Sequence, residues 1–83
     1  MASRHATVRR MRLLGEVLRV GKSKILVKAF EVPRLAVKVY DRRGREIGYV
    51  SNVLGPVSSP HVSVKVVEGR EVKEGEALYI EKV

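Results

Sequence analysis

Cysteine, tryptophan and glutamine are all missing from these 83 residues, and histidine occurs only twice. Without cysteine there is no disulfide and no thiolate zinc site, and His5 and His61 are too few and too far apart in sequence to found a metal site. A chain this short has room for one core. Domains of this size often lean on disulfides or metals, so here apolar packing alone has to hold the fold. Long hydrophobic runs are missing too: the longest are three or four residues, as at Ile25–Val27. That excludes a membrane-spanning helix, a signal-peptide core and an amphipathic anchor helix, and leads us to expect a soluble intracellular protein. Asparagine appears once, as Asn52, while charged residues make up 31% of the chain. This drift fits a protein that works at high temperature.

What is abundant is valine, at 16 positions, with Ile25, Ile47 and Ile80 beside it. β-Branched side chains suit a pleated surface and lose rotamer freedom in a helix, so the composition points to sheet. Basic residues are the other excess, with a net charge of +8. The excess lies in the first half, where the Arg-rich start and residues 13–45 are basic, whereas residues 46–83 are slightly acidic. Such a distribution suggests work near nucleic acid, either in direct contact or inside an RNA-containing assembly.

Residues 1–12, MASRHATVRRMR, show no apolar period and read as a flexible basic arm, which leaves residues 13–83 as a single domain. Leu14, Leu18 and Val20, then Ile25, Val27 and Ala29 after the turn at Gly21-Lys22-Ser23, read as a first hairpin. A second joins Val37 and Val39 to Ile47, Tyr49, Ser51 and Val53 through Asp41-Arg42-Arg43-Gly44. Gly55-Pro56 and Pro60 then enforce a loop. Val62, Val64 and Val66 alternate with polar residues in a further strand, and Leu78 and Ile80 mark the last. The expected fold is all-β, a small six-stranded closed barrel, because an open sheet would expose Val-rich edges.

Catalytic chemistry finds little support. His61 has only Ser58, Ser59 and Ser63 near it, and no set of acid, base and nucleophile can be assembled. Glu68, Glu71, Glu74 and Glu76 alternate with Arg70 and Lys73, the pattern of a solvated turn rather than a calcium loop. The glycines never form a phosphate-cradling motif. The chain therefore reads as a binding protein, with no catalytic residue, cofactor, metal or small-molecule substrate. Two surfaces are candidates. Arg42, Arg43 and Arg45 around a hairpin tip, with Arg9, Arg10 and Arg12 of the arm, could approach RNA phosphates. The stretch Leu54-Gly55-Pro56-Val57, continued by Pro60 and His61, puts apolar side chains on a loop held rigid by Gly and Pro, which is either a barrel corner or a preformed docking surface.

That stretch with its flanks, IGYVSNVLGPVSSPHVSVK, resembles the hallmark segment of the Gar family of H/ACA ribonucleoproteins, the guide-RNA machines that convert uridine to pseudouridine. The resemblance is carried by Gly48, Val50, Gly55, Pro56, Val57, Pro60, Val64 and Lys65, and extends to RLLGEVLRV and EGEALYIEKV. Asn52, Leu54 and His61 stand where the family commonly has Asp, Phe and Tyr. The resemblance implies a barrel similar to one found in translation elongation factors. It also implies an accessory subunit that docks on the catalytic domain of the pseudouridine synthase, alongside other H/ACA subunits. Such a subunit meets guide and substrate RNA indirectly and influences a mobile loop of the enzyme. No long Gly-Arg-rich tail is present, so the chain is similar to the archaeal, core-only form, expected in the cytoplasm; a eukaryotic relative would be nucleolar. The alternative, from the charge, is a small basic barrel that binds RNA directly.

Overall fold

The computed structural model describes residues 10–81. Six strands form in chain order: β1 (Met11–Val20), β2 (Lys24–Ala29), β3 (Lys38–Tyr40), β4 (Glu46–Leu54), β5 (His61–Val66) and β6 (Ala77–Glu81). All pairings are antiparallel, and the strands close into a barrel in the order β1-β2-β5-β4-β3-β6. The all-β closed barrel expected from valine content and turn spacing is the fold observed. The first strand begins earlier than the expected boundary at residue 13: Met11 and Arg12 pair with Glu81 and Ile80 and so belong to β1. The rest of the expected arm, residues 1–9, lies outside the described residues.

The barrel interior is filled by β-branched and leucine side chains, with Leu14, Val27, Val39, Val62, Val64 and Leu78 wholly buried. At about 25 cal/mol per Å² of apolar surface, this burial is the main force that offsets chain entropy. Simple alternation predicts the inward face correctly on β2 and β5 but not on β1 and β4. Register shifts fall between Leu13 and Gly15 and between Val17 and Arg19 on β1. On β4, shifts fall beside Ile47 and between Val50 and Asn52. Each such bulge adds a residue and reverses the inward and outward phase of the remaining strand. Val17 is therefore buried while Leu18 and Val20 are exposed, and Val50 is buried while Tyr49 faces out. The charged connection between β5 and β6 hides one core residue as well, Val72.

Closure of so narrow a barrel brings neighbouring backbones very close at two glycines. A Cβ on Gly15 would sit against the Lys28 carbonyl oxygen, and one on Gly48 against that of Lys65. Both contacts are with backbone, which cannot swing aside. At Gly69 the contrast is complete: its φ is +91° but nothing lies within 4 Å of its would-be Cβ.

The β3–β4 turn is organised by Asp41, whose side chain is only 8% exposed. Its Oδ1 accepts hydrogen bonds from the backbone N–H groups of Arg43 and Arg45, each at 2.9 Å, and its Oδ2 accepts one from Arg45 Nε at 2.9 Å. Burial alone would raise the carboxyl pKa. The hydrogen bonds from the Arg45 backbone and side chain and from the Arg43 backbone, with the guanidinium charge, outweigh it and hold the pKa below the ordinary 3.8.

Gly48→Ala should destabilise the barrel by about 3 kcal/mol, the upper range for overpacking, whereas Gly69→Ala should cost about 1 kcal/mol, the strain of a left-handed residue; urea denaturation of the two variants compares them. Asp41→Asn keeps an acceptor but loses the charge, and should cost about 1 kcal/mol at neutral pH. Because the folded-state pKa lies below the unfolded value, the stabilisation is complete above the unfolded value and fades as pH falls through the folded one. Wild type and variant should therefore converge in urea melts taken at increasingly acid pH.

Candidate functional site

Because every strand pair is antiparallel, each loop can be assigned to one end of the barrel. The β2–β3 connection (residues 30–37) and the β4–β5 connection (residues 55–60) share one end with the start of β1 and the end of β6. The turns β1–β2 and β3–β4 and the β5–β6 connection share the other. The two groups of candidate arginines are thereby separated. Arg10 and Arg12 lie at the first end, with the Leu54–His61 loop, while Arg42, Arg43 and Arg45 lie at the far end.

The Leu54–His61 segment is closed by strand pairing at its base and by a turn within it. Leu54 pairs with His61 at the last rung of the β4–β5 ladder. Gly55 follows with φ +81°, a conformation open to glycine at no steric cost, and its would-be Cβ would touch Ser59 O at 3.4 Å. The Ser59 N–H then donates to Pro56 O at 3.0 Å, closing a turn with Val57 near its tip. Pro60 is buried, and its carbonyl accepts from the Ala29 N–H at 3.0 Å, which ties the loop to the end of β2. Val57, held at the tip, is 81% exposed, and Leu54 is exposed beside the loop. Pro60 acts as an anchor beneath the loop and has little surface to offer a partner, while His61 is half-buried.

The same end carries apolar residues that strand periodicity does not single out. Phe30 is 66% exposed and Leu35 63%, with Val32 also exposed. Phe30 is placed by the bond from its N–H to Leu14 O at 2.8 Å, directly after Ala29. Leu35 sits in a turn whose next residue, Ala36, has φ +70°, fixed by hydrogen bonds from the Ala36 N–H to Val50 O and from the Val50 N–H to Val37 O. The signal that marks Leu54 to Val57 in the sequence, apolar residues in a segment broken by proline, applies equally to Phe30, Val32 and Leu35 around Pro33. These exposed apolar residues share one end of the barrel with Leu54 and Val57, on loops that backbone hydrogen bonds tie to the strands.

The arginines differ in how free they are. Arg45 is bound to Asp41, and Arg12 Nε pairs with Glu31 Oε2 at 2.8 Å. Both guanidinium groups are therefore already engaged within the barrel. Arg42 and Arg43 are exposed and have no side-chain hydrogen bond or ion pair among the described residues. Arg10 is exposed just before β1, and Arg9 lies outside the described residues. Among the described residues, no three of His, Cys, Asp or Glu gather in a way that could hold a metal ion.

Comparison with known proteins agrees with this geometry. The sequence model of one family, described as the Gar1/Naf1 RNA binding region, matches residues 11–83. A curated protein of Methanothermobacter thermautotrophicus, described as uncharacterized, is 30% identical over 76 residues, spanning 84% of this chain and 83% of the relative. Among solved structures, the Gar1 domain of Naf1 superposes with a TM-score of 0.76 at 18% identity, over 92% of this chain and 86% of that one. A match that starts at the first residue of β1 and takes in every strand of the barrel makes this chain a member of the Gar1/Naf1 family.

Proposed function

We propose that this chain is a non-catalytic accessory subunit of an H/ACA guide-RNA pseudouridylation complex. In this reading it docks on the catalytic domain of the pseudouridine synthase and promotes substrate turnover in rRNA modification and ribosome biogenesis. The observation that carries it is the apolar end of the barrel: Val57, Phe30 and Leu35 stand in water on loops that backbone hydrogen bonds already hold in place. A preorganised apolar surface loses little further entropy on binding, which favours a protein partner over a charged one. The synthase would supply the catalytic groups, and this chain a contact of roughly 800 Å², the usual size per partner. Such a subunit of an archaeal cell would work in the cytoplasm.

A second reading, direct RNA binding, is favoured by a different observation, the exposed and unpaired cations such as Arg42 and Arg43. The two readings differ in their response to salt, since apolar docking tolerates it while phosphate contacts weaken steeply.

Titration of the chain against purified pseudouridine synthase without RNA, at low and high salt, should give a tight complex at both. Val57→Asp should weaken that complex by about 2 kcal/mol, a roughly thirtyfold rise in Kd, because the carboxylate would be desolvated at the contact. Its melting temperature should stay at the wild-type value, since Val57 packs on nothing in the core. Equal binding by the folded variant would remove Val57 from the interface, and the absence of any synthase complex would refute the docking reading.

A further inference from the structure

The outer wall of the barrel over β2, β5, β4 and β3 carries a continuous row of exposed residues, running from Lys24 at the start of β2 to Lys38 at the start of β3. The ladder registers set Lys24 opposite Lys65, Lys65 opposite Tyr49, and Tyr49 opposite Lys38. Each of these side chains is exposed, and each neighbours residues that are buried, Ile25, Val64, Gly48 and Val39. With strands about 4.8 Å apart, the row is about 14 Å long. Beside it lie Leu26, Ser63 and Asn52 in the next rung, then Lys28 and His61.

This wall is mostly basic, its acidic neighbours being Glu46 beside Lys38 and Glu16 opposite Lys28. Neither β2 nor β5 contains an acidic residue. Lys24, Lys28 and Lys65 have no ion pair among the described residues, and Lys38 meets Glu46 only at 3.8 Å. Like charges placed directly opposite each other, as Lys24 and Lys65 are, destabilise a sheet. A polyanion lying across the strands would offset that repulsion. Tyr49 supplies what a merely basic patch lacks, an aromatic surface between two lysines, the combination on which single-stranded nucleic acid stacks and neutralises its backbone. Asn52 adds a donor, since its Oδ1 is engaged by the Val53 N–H at 2.9 Å and its amide NH₂ remains for a base edge or a ribose hydroxyl.

We propose that this wall is a binding site for single-stranded RNA, with Lys24 and Lys65 on phosphates and Tyr49 stacked on a base, separate from the apolar docking end and from the arginine hairpin tip. The proposal rests on the RNA-binding reading and names its site; it is independent of synthase docking. Fluorescence anisotropy with a labelled short oligouridylate, over a range of salt, tests it on the full chain.

Lys24→Gln/Lys65→Gln should lower the slope of log K against log salt by about 1.4, two phosphate contacts on a single strand. Tyr49→Leu should weaken binding about tenfold with the slope unchanged. Arg42→Gln/Arg43→Gln should retain most of the affinity, and all variants should bind the synthase as wild type does. Thermal melts confirm that each variant is folded. Absence of RNA binding by the wild type would overturn the RNA reading and this site together. RNA binding that survives the wall changes but is lost with Arg42 and Arg43 would overturn the site alone. Equal competition by polyglutamate, with no effect of Tyr49→Leu, would reduce the wall to a nonspecific polyanion surface and overturn the proposal as well.

Discussion

Everything in this molecule depends on how tightly six short strands can be curled around one layer of valine and leucine. Gly15 on β1 faces the Lys28 carbonyl of β2, and Gly48 on β4 faces the Lys65 carbonyl of β5, so at both places two backbones meet where a side chain would have to stand. The bulges that flank these glycines turn the strands more sharply than a regular ladder would. Closure then removes the sheet edges and leaves the ends and outer wall of the barrel as the surfaces available to partners. The chain has no cysteine and, among the described residues, no cluster that could hold a metal ion, so the close fit of the backbones and the buried β-branched residues carry the stability of the barrel.

That geometry also distributes the candidate surfaces. The apolar end gathers two loops, 30–37 and 55–60, that are distant in sequence and linked through the Ala29 to Pro60 hydrogen bond. The hairpin tip with Arg42 and Arg43 is at the other end, and the row from Lys24 and Lys65 to Tyr49 crosses the outer wall on β2, β5 and β4. A protein partner on the end and RNA along the wall could be held at once, because the two surfaces do not share the residues that define them. Membership of the Gar1/Naf1 family, whose matching model is described as an RNA binding region, is compatible with such a division.

Several features were legible from residues alone. Valine alternation gave β2 and β5 correctly, and Asp41 to Gly44 and Gly55 to Pro60 announced the turns, with Gly44 and Gly55 at positive φ. The Leu54 to Val57 stretch stood out because apolar residues in a Gly-Pro loop have no strand face to hide on. Other residues were misplaced for one shared reason. A register shift changes which side of the sheet a residue faces without leaving a mark in the local pattern, so Leu18, Val20 and Tyr49 turn outward on strands whose spacing put them with the inward set. Val72 was hidden by the reverse effect, a single apolar residue in a charged connection that the chain folds back into the barrel mouth.

The sequence by itself determined the kind of structure: no staples, β-branched residues at a period of two, and turns fixed by Gly, Pro and Asp, which together leave a small barrel as the economical solution. Only the tertiary structure decided what stands beside what. Arg12 and Arg42, both basic and both exposed, are at opposite ends because strand direction, not chain position, assigns them. Lys24, Lys65 and Tyr49 form one row although long stretches of chain separate Lys24 from the other two, because hydrogen-bond register across β2, β5 and β4 is set by barrel closure, a constraint that no local segment contains.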